Sequence, residues 1–218
     1  ALYKGVLDLG DALAAPLVTD RPDGLWPTVV VDELGVALGL AYSNAESLRH
    51  AVRTRRGVYH SRVRGPWVKG ETSGATQELL RVEADCDRDT LRFTVRQRGS
   101  GFCHRGTRTC WGPDHGVAAL ARRLADRLNN APPGSYTRRL LADPGLLRAK
   151  LGEEAGELAA ATTAIDVEAE AADLLYFTLV AMTRSGISLA DVAAEFDRRA
   201  LKVTRRPGDA KPACGVQQ

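Results

Sequence analysis

The sequence predicts two domains in one chain, an N-terminal α+β domain followed by an all-α domain. Before residue 113, turn-forming residues separate short β-rich segments, whereas after it apolar residues recur at helical spacing. A chain of 218 residues is long enough for one or two domains with adequate cores. We therefore predict a first domain at residues 1–112, a helical domain at 113–206 and a tail or linker at 207–218.

Strands dominate the first half. The alternation is clearest where Leu91, Phe93 and Val95 alternate with polar residues, which is typical of a strand with one buried face. Asn44 is a favourable N-cap for one helix. In chain order, the predicted elements are strands 26–32 and 36–42, a helix from 45 to about 55, and strands 58–63, 78–84 and 90–97.

The second half predicts four helices. Apolar residues lie on one helical face from residue 117 to 128. Asp143 followed by Pro144 is a strong helix start, and Ser188 with Asp191 three residues later resembles a capping box. The other helices are predicted from 144 to about 163, from 166 to about 185 and from 189 to near 202.

Composition and charge exclude a membrane protein and leave the ligand open. The apolar runs are too short for a membrane span or a secretory signal, so we expect a cytoplasmic protein with reduced cysteines. The net charge of +3 does not by itself indicate nucleic acid. Between Glu46 and Glu71 the charged residues are all basic, which suits a polyanionic small molecule, an RNA surface or simply a solvated face. These basic residues are Arg49, Arg53, Arg55, Arg56, Arg62, Arg64 and Lys69.

Three aspartates alternate along one short segment. If this segment is extended, Asp85, Asp87 and Asp89 share one face and repel each other unless a cation neutralises them. Carboxylate oxygens suit Mg²⁺. The alternative is a charged turn without a metal.

Cysteines near the aspartates form a second candidate metal site. Cys86, Cys103 and Cys110 would offer zinc three thiolates and leave a fourth position open, as in catalytic zinc sites. Zinc in such a site lowers the pKa of bound water to about 7. His104 could transfer a proton or act as a fourth ligand; the alternative is a surface histidine. Cys214, in the polar tail, is treated as incidental.

Acidic residues on two predicted helices form a third candidate site. Glu153, Glu154 and Glu157 share a face of one helix, and Glu170 and Asp173 share a face of the next. If the two helices pair antiparallel, these carboxylates converge and can hold Mg²⁺, which in turn binds substrate phosphates. The alternative is a solvated acidic face, which the apolar neighbours of these acids disfavour.

Four motifs in the first half carry a family resemblance. They are 59–62 (Tyr-His-Ser-Arg), 67–74 (Trp-Val-Lys-Gly-Glu-Thr-Ser-Gly), 85–89 (Asp-Cys-Asp-Arg-Asp) and 103–110 (Cys-His-Arg-Gly-Thr-Arg-Thr-Cys). Over residues 25 to 112 the chain resembles phosphoribosyl-AMP cyclohydrolase of histidine biosynthesis. The resemblance implies hydrolytic opening of the adenine ring of phosphoribosyl-AMP between N1 and C6.

The same resemblance implies roles for individual residues. It implies zinc at the three thiolates and magnesium at the three aspartates. Because the family draws its zinc ligands from two subunits, it also implies a homodimer. The implied catalytic residues are Lys69, Glu71 and His104, and the implied substrate or cofactor contacts are Arg62, Arg64, Thr72 and Ser73.

The second half resembles another enzyme of the same pathway. Glu-Glu-x-x-Glu, a 12-residue gap and Glu-x-x-Asp, with Lys150 and the segment 133–138 upstream, resemble phosphoribosyl-ATP pyrophosphohydrolase over residues 114 to 204. The implied fold is a helical bundle, and the implied activity is the release of pyrophosphate from phosphoribosyl-ATP. Glu154 and Lys150 are implied as catalytic, Ser135 and Tyr136 as substrate or cofactor contacts, and the five acids as Mg²⁺ ligands.

Taken together, the two resemblances predict a bifunctional hydrolase for steps two and three of histidine biosynthesis, with phosphoribosyl-ATP and phosphoribosyl-AMP as nucleotide substrates. The segment 202–211 resembles fungal-type multifunctional polypeptides, in which a histidinol dehydrogenase domain follows. Because residue 1 is Ala rather than Met, we expect a processed chain or a piece of a longer one. Two alternatives remain: a housecleaning pyrophosphatase whose first domain only dimerises, and a zinc-ribbon-like protein that binds RNA through residues 49–69.

Overall fold

The computed structural model describes residues 8–201 and contains a sheet-forming part followed by a helical part. The fold class predicted from the sequence is therefore confirmed. The sheet-forming part comprises α1 (Leu9–Ala14), β1 (Trp26–Asp32), β2 (Ala37–Ser43), α2 (Ala45–Thr54), β3 (Val58–Ser61), β4 (Gly65–Val68), β5 (Gln77–Ala84) and β6 (Leu91–Gln97). The helical part comprises α3 (Gly116–Asn130), α4 (Tyr136–Ala142), α5 (Pro144–Ala160), α6 (Ala164–Arg184) and α7 (Leu189–Ala200).

The first domain is built on a four-stranded mixed sheet in the order β2-β1-β6-β5. β1 is antiparallel to β2 and parallel to β6, with Val30 opposite Phe93, while β5 and β6 are antiparallel. β3 and β4 form a separate hairpin. Val30, Leu38, Leu48, Tyr59 and Phe93 are fully buried and form the centre of the core.

The helical domain buries a second core between α3, α4, α5 and α6. Leu124, Leu140, Leu147, Phe177 and Val180 contribute one or two side chains from each of these helices. A short connection joins α5 to α6, and the two helices pack against each other. Within residues 8–201, each helix is too short or too polar to cross a lipid bilayer.

Most predicted elements occur within a few residues of their expected bounds, but three short elements were missed. α1 and α4 are short helices capped by Asp8 and Ser135, and β4 pairs only with β3. The predicted strand 58–63 ends at residue 61, because the chain turns there into the hairpin. α6 begins before the predicted residue 166, because Thr163 accepts a hydrogen bond from the Asp166 N–H and acts as its N-cap. The predicted helix end near 202, the domain end at 206 and the tail with Cys214 lie outside the described residues.

The aspartate segment is a turn, which is the alternative considered from the sequence, and not the extended segment on which the shared face of the three aspartates depended. β5 ends at Ala84, and Arg88 has a φ of 67°, in the left-handed region that an extended segment avoids. The turn joins β5 to β6. Consequently, alternation along a strand does not decide which way these side chains face.

The two domains contact each other through a buried carboxylate at the end of β1. Asp32 is fully buried, and its Oδ1 accepts hydrogen bonds from the N–H groups of Leu34 and Val36. Its Oδ2 accepts hydrogen bonds from Arg108 at 3.1 Å and from Arg122 at 3.0 Å. Arg122 lies on α3, so this carboxylate joins the first domain to the helical domain.

Candidate functional site

The first domain contains an open cavity of about 640 Å³ between β2, the β3–β4 hairpin and the loop at residues 100–110. Cys103, Cys110 and Lys69 lie in its wall, together with Tyr59 and Trp67. The rings of these two aromatic residues pack with their centroids 5.5 Å apart, so the cavity has one firm apolar side. Polar side chains such as Ser61, Thr72 and Ser73 also line the cavity. A cavity of this kind can hold a flat heterocycle with polar substituents.

Backbone hydrogen bonds fix the loop that carries the two cysteines. The N–H of Phe102 donates to the carbonyl of Arg108 at 3.0 Å, and the N–H of Cys103 donates to the carbonyl of Thr107 at 3.1 Å. The N–H of Cys110 donates to the carbonyl of Leu38 at 2.8 Å, which attaches the loop to β2. Gly101 permits this closure because its φ is 125° and a Cβ there would overlap the Arg108 backbone.

Cys103 and Cys110 are close enough to interact, and their environments differ. Hydrogen bonds from the Arg105 N–H and the Thr107 side chain lower the pKa of Cys103. Burial, followed by the charge of neighbouring Cys103, raises the pKa of Cys110. Burial lowers the pKa of Lys69, whose Nζ donates to the Ala75 carbonyl at 3.2 Å. The positive charge of Lys69 favours the thiolate form of Cys110.

Cations surround an aromatic ring at the rim of the cavity. The guanidinium groups of Arg21 and Arg62 lie 4.8 and 4.6 Å from the ring centroid of Tyr42. His60 Nδ1 lies 3.0 Å from the side-chain nitrogen of Asn44. The sequence reasoning missed Tyr42, which lines the cavity, and its contact with Arg21. Their proximity arises from the packing of β2 against the segment before β1, for which no local spacing gives a signal.

The structure brings most of the predicted first-domain residues to this cavity. Glu71 is exposed and lies outside the cavity lining, so its catalytic role stays a prediction. Cys86 is exposed in the β5–β6 turn, where its Sγ lies 4.0 Å from Asp87 Oδ1. The predicted residues that do line the cavity are Arg62, Arg64, Lys69, Thr72, Ser73, Cys103, His104 and Cys110.

The three aspartates of the turn form a carboxylate cluster. An oxygen from each of Asp85, Asp87 and Asp89 lies within 4.8 Å of the others. Against the opposing effect of burial, N–H groups of Thr90 and Asp89 lower the pKa of Asp85. Asp85 Oδ1 accepts both hydrogen bonds at 3.1 Å, and these bonds close the turn and stabilise the ionised carboxylate. Oxygen donors in this arrangement fit Mg²⁺.

Within residues 8–201, three groups of potential metal ligands come together, and all of them consist of carboxylates. The predicted set of Cys86, Cys103 and Cys110 is not assembled within this single chain. Its two members in the loop stand at the cavity, and the third lies in the aspartate turn. Cys103 and Cys110 at the cavity are soft donors of the kind that zinc prefers, and the environment of Cys103 favours its thiolate form.

The helical domain brings its predicted acids together where α5 and α6 pack. Glu154 is buried, and Lys150 Nζ lies 2.6 Å from its carboxylate and 2.8 Å from that of Glu153. The acids form two groups of carboxylates, one along α5 and the other between α5 and α6. Each group has oxygens within 4.8 Å of one another. The two groups are Glu153, Glu154 and Glu157, and Glu154, Glu170 and Asp173.

The electrostatics of these acids indicate that they accommodate a cation. Burial, then the negative charges of Glu157, Glu154 and Asp173, raise the pKa of Glu170. Hydrogen bonds to Glu153 and Glu154 raise the pKa of Lys150. The cluster therefore carries more negative charge than one lysine balances. Hard oxygen donors with this excess charge fit Mg²⁺.

The other predicted contacts of the helical domain lie on α4. Ser135 caps α4 by accepting a hydrogen bond from the Arg138 N–H, and Tyr136 is exposed beside it. The ring of Tyr136 packs edge-on against Phe177, with 6.3 Å between centroids. Phe177 also lies 5.3 Å from Lys150 Nζ, a contact that the sequence reasoning missed. Tyr136 and Lys150 thus both contact the ring of Phe177, whereas Ser135 has a clear structural role.

The fold and the sites thus define a two-domain protein with one candidate site in each domain, a thiol-lined cavity in the first and a carboxylate cluster in the second. The family model for phosphoribosyl-AMP cyclohydrolase matches residues 39–112. That for phosphoribosyl-ATP pyrophosphohydrolase matches residues 117–200.

Named relatives agree with this organisation. The histidine biosynthesis bifunctional protein his7 of Schizosaccharomyces pombe is 53% identical over 95% of this chain and 50% of its own length. The histidine biosynthesis trifunctional protein of Komagataella pastoris is 50% identical over 96% of this chain and 25% of its own length. The histidine biosynthesis bifunctional protein HisIE of Deinococcus radiodurans is 40% identical over 82% of this chain and 89% of its own length.

The chain belongs to the family of bifunctional histidine biosynthesis proteins that combine these two domains. It spans half the length of the S. pombe relative and a quarter of the K. pastoris one.

Proposed function

We propose that the chain catalyses two successive hydrolytic steps of histidine biosynthesis. The helical domain releases pyrophosphate from phosphoribosyl-ATP, and the first domain opens the adenine ring of the resulting phosphoribosyl-AMP. The observation that carries this proposal is the coincidence of each family segment with its own polar site. The order of the domains and the names of the relatives support it.

In the helical domain, we assign the metal-holding role to Glu153, Glu154, Glu157, Glu170 and Asp173. The chemistry supplied by bound Mg²⁺ is neutralisation of negative charge on substrate phosphates. Glu154 lies in both carboxylate groups and fixes Lys150 by a 2.6 Å ion pair. Lys150 adds a positive charge that stabilises the departing pyrophosphate.

In the first domain, the thiols hold zinc and the aspartates hold Mg²⁺. The chemistry supplied by bound zinc is Lewis acidity, which makes water nucleophilic at neutral pH. Lys69 stabilises thiolate charge beside the cavity, and His104 at the rim transfers a proton between the reacting group and solvent. Arg62 and Arg64, exposed on the same rim, attract the substrate phosphate.

The zinc site further requires a second copy of the chain. Cys86 is exposed, and within one chain it does not join Cys103 and Cys110. A homodimer in which Cys86 of one copy meets the cavity of the other completes the set of three thiols. The aspartate turn then lies at the cavity of the second copy as well.

The decisive experiment supplies phosphoribosyl-ATP to the purified chain with Zn²⁺ and Mg²⁺ and follows pyrophosphate, ring-opened product and mass. We expect pyrophosphate first and the ring-opened product second. Release of pyrophosphate from ordinary deoxynucleoside triphosphates but not from phosphoribosyl-ATP would contradict the proposal and favour a housecleaning pyrophosphatase. Salt-sensitive RNA binding without turnover would favour the RNA-binding alternative.

A further inference from the structure

The carboxylate of Asp32 stands outside both proposed sites and outside the segments that the two family models match. It is fully buried at the end of β1. Oδ1 accepts the N–H groups of Leu34 at 3.0 Å and Val36 at 2.9 Å, and this closes the β1–β2 turn. Oδ2 accepts two guanidinium groups instead. A buried carboxylate requires such partners, because an unpaired charge away from water is strongly disfavoured.

One of the two guanidinium groups belongs to the cysteine loop. Arg108 lies between Cys103 and Cys110 in the sequence, and its Nη2 donates to Asp32 Oδ2 at 3.1 Å. Its carbonyl accepts the N–H of Phe102, and its backbone closes against Gly101. Arg108 Nε is buried and has no hydrogen-bond partner within residues 8–201. The ion pair with Asp32 is therefore the polar contact that holds this side chain.

The other guanidinium group comes from the helical domain. Arg122 on α3 donates to Asp32 Oδ2 at 3.0 Å and forms a second ion pair with Asp114 at 2.5 Å. Without the carboxylate between them, the two arginines would repel each other, since both approach the same oxygen. The negative charge of Asp32 thus keeps α3 and the cysteine loop together.

We propose that Asp32 is a positioning residue that couples the conformation of the Cys103–Cys110 loop to the position of α3. Asp32 acts through Arg108 and touches no substrate. Arg122 contributes from the helical domain to the geometry of a site in the first domain. This inference rests on the proposed function only for its kinetic consequence; its structural consequence is measurable in the chain without substrate.

The test uses the full chain and three variants. Asp32→Asn keeps an oxygen that can accept the hydrogen bonds of the turn but removes the negative charge. Arg122→Leu removes the guanidinium group that the helical domain contributes to the contact. Arg123→Leu is the matched control, because Arg123 is the next residue on α3 and makes no ion pair within residues 8–201. The structural measurement is hydrogen exchange, without metal, at the amides of Phe102, Cys103 and Cys110.

We expect Asp32→Asn and Arg122→Leu to accelerate exchange at these amides about tenfold, while sheet amides such as that of Phe93 keep the rate of the parent. We expect the kcat of ring opening to fall about tenfold with little change in KM, because a loop displaced by a fraction of an ångström misplaces reacting groups. Pyrophosphate release by the same preparations should be unchanged, and Arg123→Leu should match the parent throughout.

The proposal is overturned if Arg122→Leu gives the loop exchange rates of Arg123→Leu, since the helical domain would then have no influence on the loop. It is also overturned if exchange rises uniformly over the first domain, which indicates general loss of stability. Should the parent chain show no ring opening at all, the proposed function fails, yet the exchange comparison still decides the coupling. An Asp32→Asn chain that does not fold leaves the decision to Arg122→Leu, which retains the carboxylate and Arg108.

Discussion

Among residues 8–201, Asp32 and Glu154 are the two acidic side chains that are buried. Each is paired with cations: Asp32 with Arg108 and Arg122, and Glu154 with Lys150. Their roles differ because of their neighbours. Asp32 has more positive than negative charge around it, whereas Glu154 stands in an excess of carboxylates. In the first arrangement two guanidinium groups already pair with the carboxylate, whereas the excess of carboxylates in the second can accept an added cation.

Replacing the central acid of the helical site tests that difference. We expect Glu154→Gln to lower pyrophosphate release at least about 100-fold, because it removes a charge shared by both carboxylate groups. The variant should accumulate phosphoribosyl-ATP while still opening the ring of added phosphoribosyl-AMP. The measurement is a separate assay of each reaction. Glu168→Gln, an exposed acid on α6, serves as the control and should retain both activities; equal loss of both reactions in Glu154→Gln would contradict two independent sites.

Replacing a thiol in the cysteine loop should have the opposite effect. We expect Cys103→Ala to abolish ring opening, because this thiol has the environment that favours a thiolate ligand. Pyrophosphate release should be retained, since the change lies in the other domain. Zinc content measured by elemental analysis should fall together with the ring-opening activity. A variant that keeps its zinc and opens the ring at the parent rate would remove Cys103 from the site.

At the scale of single residues, the sequence predicts which neighbouring residues belong to one cluster, but it does not predict contacts between distant segments. The proximity of Cys103 to Cys110, of the three aspartates to one another and of the acids on α5 to one another was predictable because these residues are close in sequence. The contacts of Arg21 and Arg62 with the Tyr42 ring, and the pairing of Asp32 with Arg122, depend on which elements meet in space. A single sequence carries no local signal for such pairs.

At the scale of elements, α5 illustrates how a helix start positions a site. The Asp143 side chain accepts hydrogen bonds from the N–H groups of Gly145 at 2.9 Å and Leu146 at 3.0 Å, and Pro144 occupies the first turn. This start was predictable from the sequence. α4 was not, because seven residues are too few to display a helical pattern; its start depends on the Ser135 cap.

Removing the Asp143 cap should destabilise the start of α5, the helix that carries three of the five acids. We expect Asp143→Ala to lower the free energy of unfolding by about 1 kcal/mol and to lower pyrophosphate release modestly. The measurements are denaturant unfolding and the pyrophosphate assay. Ser188→Ala is the control, because Ser188 caps α7, which carries none of the five acids. If both variants reduced pyrophosphate release equally, the cap of α5 would have no special link to the site.

At the scale of the whole molecule, the ion pair between Asp32 and Arg122 joins the two domains, and Asp114 forms a second ion pair with the same arginine. Asp114 and Arg122 are both partly buried beside the Asp32 contact. The hydrogen bonds from Arg122 hold the pKa of Asp114 below its usual range, against the effect of burial. Because Asp114 must be ionised to pair with Arg122, we expect this support of the contact between the domains to weaken in acid.

The pH dependence has a definite sign. The folded-state pKa of Asp114 lies below its unfolded value of about 3.9, so its stabilisation is present above that pH and is lost as the pH falls through the folded-state pKa. We expect Asp114→Asn to cost about 1 kcal/mol of unfolding free energy at pH 7. That difference should shrink below about pH 4, where the parent aspartate also loses its charge. Denaturant unfolding at several pH values checks this, and a difference that is constant with pH would contradict it.

The position of Asp32 has a practical consequence for anyone who subclones the cyclohydrolase-like half. A fragment that stops at residue 112 discards α3 and with it Arg122, and it uncovers the side of the carboxylate that α3 protects from water. A fragment extended to the end of α3 at Asn130 retains that cover and exposes a different, apolar surface in exchange. The independence of the two halves in sequence therefore does not make them separable parts.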